Sequence, residues 1–479
     1  MSASALHAGI KTAYEDIAYV GRPNSHSHPD RLAAIASLFG HVAADPSRAR
    51  VLEVGCGDAA NILPMAARYP DARFVACDFS ALLMGHARTR ATALGLANVD
   101  LVEGDLKEVA PSLGMFDYVI AHGFYSWVPA DVRDAFIAML GRQLAPGGLA
   151  FISYNVLPGC FVRRVGWDAL KMTVPGQASP TERLATARNE LRDLAEAWSA
   201  MDGIPAHLAR EYAAAADRSD SMIYHDDLSG INEAVYFTTF VQHIGRHGLG
   251  FLAEAEPGTM SMAGLPDRIR TLATQADALS REQYLDFARV RRFRQSIVAR
   301  AEDVARARFT PEKTMSLQFS AVTGIVQERA AGAARSVEGP LIDFLADAYP
   351  ASVSASDAIA YLQGRGLNAD EARTMLARGL FSGAVEPHLA PLPLAATAGP
   401  RPRAWHVARY DAQQDDTVAS LRHSSVRVDD PTGRALLIAC DGTRDRAALA
   451  RAASITSPDA LELVDHFLER FALAGLLEA

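Results

Sequence analysis

The chain has 479 residues, 49% hydrophobic and 22% charged, with a net charge of −9. That balance fits a globular protein of two to four domains and disfavours a nucleic-acid partner, which calls for a basic surface. With no basic-then-apolar leader and no run near the roughly 20 apolar residues of a membrane helix, neither export nor membrane insertion is expected, and the expected location is cytoplasmic.

Residues 1–40 are read as an N-terminal helical cap, and 41–159 as a Rossmann-like cofactor-binding core. Within the core, strand-like runs at 50–54, 73–77, 99–102, 116–121 and 149–154 alternate with helical runs such as 59–69, 81–94 and 130–144. This rhythm predicts βαβ units and a parallel, doubly wound sheet, with APGG (145–148) as a turn feeding the fifth strand. The rhythm stops after Asn155. Residues 160–232 read as a helical insertion, and 233–305 as a region completing the sheet with a last, antiparallel strand near 291–300. A helical domain is expected at 306–387, a Pro/Ala-rich linker at 388–403, and a small winged-helix-like domain at 404–479. The fold class is therefore α/β: a doubly wound sheet with a helical insertion, plus small α-rich C-terminal domains. The four cysteines (Cys56, Cys77, Cys160, Cys440) lack CxxC spacing and read as buried, reduced thiols.

Four signals fall at four successive strand ends. Strand one runs through Glu53 into Gly55-Cys56-Gly57-Asp58, where glycines let backbone approach a ligand. Asp78, 20 residues beyond Asp58, ends strand two and is placed to accept both hydroxyls of a ribose. NAD and S-adenosylmethionine sites share this arrangement. The acid directly after the second glycine would repel a pyrophosphate but suits an ammonium group, which favours S-adenosylmethionine over the G-x-G-x-x-G pattern of NAD. Gly104-Asp105-Leu106 after strand three is placed for adenine. AHGFYSWVP (121–129) after strand four lies where the transferable methyl would point. Asp78 and Asp105 are also ordinary helix-cap residues, and Cys56 suits its place by size.

The blocks HPDRLAAIASLFG (28–40), VLEVGCGDAAN (51–61), FDYVIAHGFYSWVP (116–129) and SYNVLPG (153–159) resemble the class I methyltransferases that carry a methyltransferase regulatory domain. YFTTFVQHIGRHGLGFLAEAE and EQYLDFARVRRFRQS look like that regulatory region. The group includes bacterial protein-lysine methyltransferases that modify outer-membrane protein in rickettsiae. One departure is Ala59, where such loops commonly carry a third glycine; its methyl is expected to be tolerated if the helix has already begun. The resemblance implies S-adenosyl-L-methionine as cofactor, held by Glu53, Gly55, Cys56, Gly57, Asp58, Asn61, Asp78, Phe79, Gly104, Asp105, Leu106 and His122. It also implies that Tyr14 and Tyr19 close over the methionine end.

For the chemistry, His122, Tyr125, Tyr154 and Asn155 are the candidate catalytic residues. His122 is a general base or a cofactor contact, Tyr125 and Trp127 are channel walls or packing, and Tyr154 and Asn155 are acceptors for an amine nucleophile. His243 and His247, four apart on a helix, have metal spacing but no third ligand nearby in sequence, so no metal is assigned. ARVRRFR (288–294) reads as a solvated face or strand edge. Acidic turns in 404–479 favour a peptide- or protein-docking role over DNA. The expected partner is a protein or small-molecule methyl acceptor, without nucleic acid or membrane insertion, and a homodimer is among the expected assemblies. Protein-lysine methylation is the leading reading. A natural-product methyltransferase and a non-catalytic S-adenosylmethionine-binding docking protein are the alternatives.

Overall fold

The computed structural model describes residues 16–17, 19–333 and 339–479. A helix α1 (Pro29–Leu38) precedes the central sheet. The sheet has seven strands in the order β3-β2-β1-β4-β5-β7-β6. These are β1 (Arg50–Val54), β2 (Arg73–Asp78), β3 (Val99–Glu103), β4 (Phe116–Ala121), β5 (Leu144–Asn155), β6 (Leu249–Glu254) and β7 (Phe293–Arg300). The first five run parallel, and β7 is antiparallel to both β5 and β6. Strands such as VLEV and YVIA are apolar on both faces because helices cover both. Leu63, Phe74 and Ile120 pack in one layer; Leu52, Phe136 and Ile152 pack in the other.

The crossover helices are α2 (Ile62–Arg68), α3 (Ala81–Ala93), α4 (Leu106–Val109) and α5 (Ala130–Gln143). Three further helices, α6 (Cys160–Thr173), α7 (Pro180–Ser199) and α8 (Ile204–Ala216), form the insertion around Leu184, Leu191 and Tyr212. Helix α9 (Phe237–Gly245) then leads into β6.

The APGG stretch belongs to β5 and is not a separate turn. Phe116 pairs with Leu144 and Tyr118 with Leu149, so the extra residues bulge, with Gly147 at φ 74°. The 306–387 region is likewise not purely helical. It carries a three-stranded antiparallel sheet of β8 (Gln318–Ala321), β9 (Val353–Ser354) and β10 (Val385–His388), strands too short to show alternation. The Pro/Ala-rich segment after it is tied down rather than free, since Leu394 and Ala404 bridge to Glu478 and Leu477. The last domain adds a hairpin, β11 (Thr417–Ala419) with β12 (Ser425–Arg427), to four helices.

The basic run at 288–294 is not a solvated face. Arg294 is fully buried, with Glu254 at 2.6 Å, Asp286 at 2.9 Å and Glu282 at 3.2 Å, while Arg292 pairs with Glu211. Arg291, Arg292 and Arg294 are each neutralised by an acid that the fold brings in, and Arg289 donates to the Thr259 and Ser261 carbonyls. Among the described residues, no helix is long and apolar enough to cross a membrane.

Candidate active site

The carboxyl ends of β1–β4 open onto a cavity of about 1020 Å³. Parallel strands put their following turns at one edge of the sheet, so stretches distant in sequence meet there. β1 delivers Glu53 and then Gly55 and Gly57, whose φ angles of 68° and 57° suit glycine. A Cβ on Gly55 would also lie 2.7 Å from the Phe124 ring.

At the end of β2, Asp78 accepts from the Gly57 N–H and the Ser80 N–H, both at 2.9 Å. The carboxylate thus ties the glycine turn to β2 while keeping lone pairs for a ligand. Asp105 faces the cavity and caps α4, accepting from the Lys107 N–H at 2.9 Å. Gly104 and Leu106 flank it, and Leu106 is buried. Tyr19, Cys56, Phe79 and Asn155 line the cavity as well. Burial pushes the Cys56 thiol well above its usual range, so it is inert packing.

Glu53 is the least settled group. Its Oε1 accepts from Asn61 Nδ2 at 2.7 Å, while Oε2 is buried without a protein partner. Burial, with help from Asp58 and Asp78, raises its pKa to about 8. Asn61 Oδ1 accepts from the Asn24 N–H at 2.9 Å and lies 2.8 Å from Nε2 of His423 in the C-terminal domain. One amide therefore links the N-terminal segment, β1 and the last domain.

The opposite wall comes from β4, the insertion and β7. His122 Nδ1 lies 3.0 Å from the Ser153 hydroxyl, which itself accepts from the Gly123 N–H at 2.8 Å. Burial lowers the pKa of His122 to about 4, so the ring is neutral and too weakly basic to deprotonate an ammonium. Asp226 also faces the cavity, and burial beside Asp227 raises its pKa to about 6. Arg163 and Arg292 line the same wall but are paired with Asp227 and Glu211. Arg22 is a further cation on the lining, but Glu53, Asp78, Asp105 and Asp226 outnumber it, so the excess acidic groups favour a cationic ligand.

Four expectations change. Asp58 does not line the cavity: its Oδ1 accepts from the Ala60 N–H, and a Cβ on Gly21 would lie 2.3 Å from that oxygen. Its contacts are with the turn and with Gly21 of the 19–26 segment. Tyr125 and Tyr154 are core residues, both nearly solvent-free. Tyr154 stacks on Phe240 with ring centroids 4.1 Å apart, and Tyr125 packs edge-on to the same ring. Ala59 precedes the helix, which begins only at Ile62, and sits at φ 58°. Finally, His243 and His247 do have a third potential ligand, Asp134 from α5. Tyr14 lies outside the described residues. Asn24, Asp226, Phe293 and Ser424 were not legible as site residues, because only tertiary folding brings them to the cavity.

Comparison with known proteins agrees with this layout. Residues 51–148 match a family model described as a methyltransferase domain. Residues 219–300 match a predicted methyltransferase regulatory domain, and 400–454 a PKMT C-terminal winged helix domain. RP789, an uncharacterized protein of Rickettsia prowazekii, is 32% identical over 287 residues, which are 60% of this chain and 52% of that one. The match thus spans about half of that relative's length. A second protein from the same organism, RP028, is 29% identical over 233 residues, 48% of this chain and 93% of its own. Among solved structures, PKMT2 from Rickettsia typhi in complex with AdoHcy superposes with a TM-score of 0.85 at 20% identity, covering 96% of this chain and 99% of that one. That likeness shows a shared fold. In chain order, the protein therefore carries a methyltransferase domain, a methyltransferase regulatory domain and a winged helix domain of the PKMT type.

Proposed function

We propose that the cavity binds S-adenosylmethionine and that the protein transfers its methyl group to a lysine side chain of another protein. The carrying observation is the Glu53 carboxylate, buried beneath the glycine turn with Oε2 unpartnered, facing the same cavity as Asp78. A half-paired buried carboxylate is costly unless a cation completes it. The ammonium of a methionyl group is such a cation, and Asp78 remains able to accept from ribose hydroxyls. Asp105 and Leu106 are positioned for an adenine ring, Asp105 through its carboxylate and Leu106 through its apolar surface. When bound, S-adenosylmethionine supplies an activated methyl on a sulfonium.

The remaining work belongs to the acceptor wall. A lysine amine has a reference pKa of about 10.4, so neutralising it at pH 7 costs about 4–5 kcal/mol. Trp127, Phe293 and neutral His122 form a poorly solvating wall that favours the uncharged amine, while Asp226 attracts the cation at entry. With His122 so weakly basic, the proton leaves to solvent before transfer. The domain matches and the sequence resemblance to protein-lysine methyltransferases both favour this acceptor.

Calorimetry of the wild type and Asp78→Ala with S-adenosylmethionine and with NADH tests the cofactor. Binding of NADH in preference to S-adenosylmethionine would refute the assignment. Incubation with cell lysate and methyl-labelled S-adenosylmethionine, followed by hydrolysis to amino acids, tests the acceptor. Label in methyllysine supports the proposal. Label confined to small molecules would replace it with a small-molecule methyltransferase.

A further inference from the structure

Away from the cavity, on the far side of α5, a polar cluster has no part in the chemistry above. His243 and His247 stand one turn apart on α9 and just beyond it, and Asp134 reaches them from α5. Asp134 Oδ1 lies 3.1 Å from His243 Nε2 and 3.6 Å from His247 Nε2. One ligand atom from each of the three side chains falls within 4.8 Å of the others. The two imidazoles are 6.0 Å apart and inclined by 68°, so their nitrogens converge on the carboxylate without stacking.

Two independent features hold this cluster in shape. The second ring nitrogen of His243, Nδ1, lies 2.9 Å from the Tyr125 hydroxyl. Tyr125 is itself fixed by the Phe240 and Tyr154 rings. An engaged second nitrogen is the arrangement that orients a metal-bound histidine. The helices are also locked together, because a Cβ on Gly141 of α5 would lie 2.5 Å from the His247 carbonyl oxygen. The nearby cation Arg133 is countered by Glu233 at 2.6 Å.

We propose that Asp134, His243 and His247 form a binding site for a zinc-like divalent transition-metal ion. Two imidazole nitrogens and one carboxylate oxygen are a ligand set such an ion prefers, and the fourth tetrahedral position is left for water or an outside ligand. The bound ion pins α9 of the regulatory region to α5, the helix that follows the 122–129 wall. It acts as a brace between those elements and takes no part in methyl transfer.

The test uses the full-length chain without a histidine tag, stripped with chelator and titrated with zinc(II) and, as a spectroscopic probe, cobalt(II). The four cysteines are all buried, which removes the usual competing thiolates. One equivalent of zinc should bind and raise Tm, and cobalt should give the visible absorption of a four-coordinate site. His247→Ala and Asp134→Ala, which alter partly exposed side chains and leave the fold intact, should each weaken zinc at least tenfold and abolish the Tm rise. Tyr125→Phe should weaken it by roughly tenfold through loss of the orienting hydroxyl. No stoichiometric binding, or equal binding in the wild type and both alanine variants, would show that the three side chains are only an ion pair.

Discussion

Burial beneath the glycine turn leaves Glu53 with one satisfied oxygen and one waiting oxygen, and its pKa near 8 makes it neutral in the ligand-free protein at pH 7. Pairing with an ammonium requires the ionised form, so cofactor binding should release a proton. Affinity should then rise with pH, by roughly tenfold per unit well below pH 8, and fall again above it as the ligand's own α-amino group, with a reference pKa of about 7.7–8.0, loses its proton. Calorimetry in buffers of different ionisation enthalpy reads the released proton directly; a pH-independent affinity with no buffer effect would sink this account. A second residue-scale consequence concerns Ala59, which holds a left-handed conformation that costs a non-glycine residue about 1 kcal/mol. Ala59→Gly should therefore stabilise the protein by about 1 kcal/mol in chemical denaturation, and a loss of stability would contradict it. Glu53, Gly55, Gly57 and Asp78 were legible in the sequence because a charge inside an apolar strand, and glycines at its end, are unfavourable there unless a ligand uses them. Asp58 was not, and the reason is physical. Its neighbour across the turn is Gly21, some 37 positions earlier, and nothing local announces that contact.

At the scale of elements, β7 shows what alternation along a strand cannot reveal. FRQSIVAR places Arg294 on β7, between β5 and the edge strand β6, with its guanidinium 4.1 Å from the Phe237 ring centroid and three carboxylates from β6 and from the helix Ala278–Arg289 around it. Basic residues in a short run read as a wet surface until their acidic partners are known, which for Arg294 lie 8 to 40 positions away in sequence and for Arg292 lie 81 away. Removing this guanidinium takes the cation from Glu254 and Glu282 and leaves Asp286 with Arg291 alone, and breaking such a buried pair costs about 3–5 kcal/mol. Arg294→Ala should lower unfolding free energy by that amount and release β6 and β7 first, as read by amide hydrogen exchange. A change under about 1 kcal/mol would mean the cluster is solvated. The parallel strands β1–β4 were readable because each is an apolar run bounded by turns. The two- to four-residue strands β8–β10 were not, because so few residues carry no period.

For the whole molecule, the C-terminal domain is attached to the cofactor side of the core at several points. Arg90 pairs with Asp411 at 2.8 Å, and Arg68 donates to the Leu421 carbonyl at 2.9 Å. Glu386, half-buried between Arg31 and Arg422, has its pKa held down to about 2 by those two guanidinium groups. His423 reaches furthest, meeting Asn61, and burial lowers its pKa to about 3, so it serves as a neutral donor. His423→Ala should weaken S-adenosylmethionine about fivefold, the value of roughly 1 kcal/mol for a lost hydrogen bond. An unchanged Kd would show that Asn61 is positioned without the last domain. Asn61 also has a wider consequence. Because the amide that steadies Glu53 is held by Asn24 and by His423 of the last domain, whatever the seated terminal module adds to cofactor affinity, a filled pocket returns equally to the seating of that module. A protein that grips the outer face of that module can therefore set how readily the enzyme is charged, without coming near the chemistry.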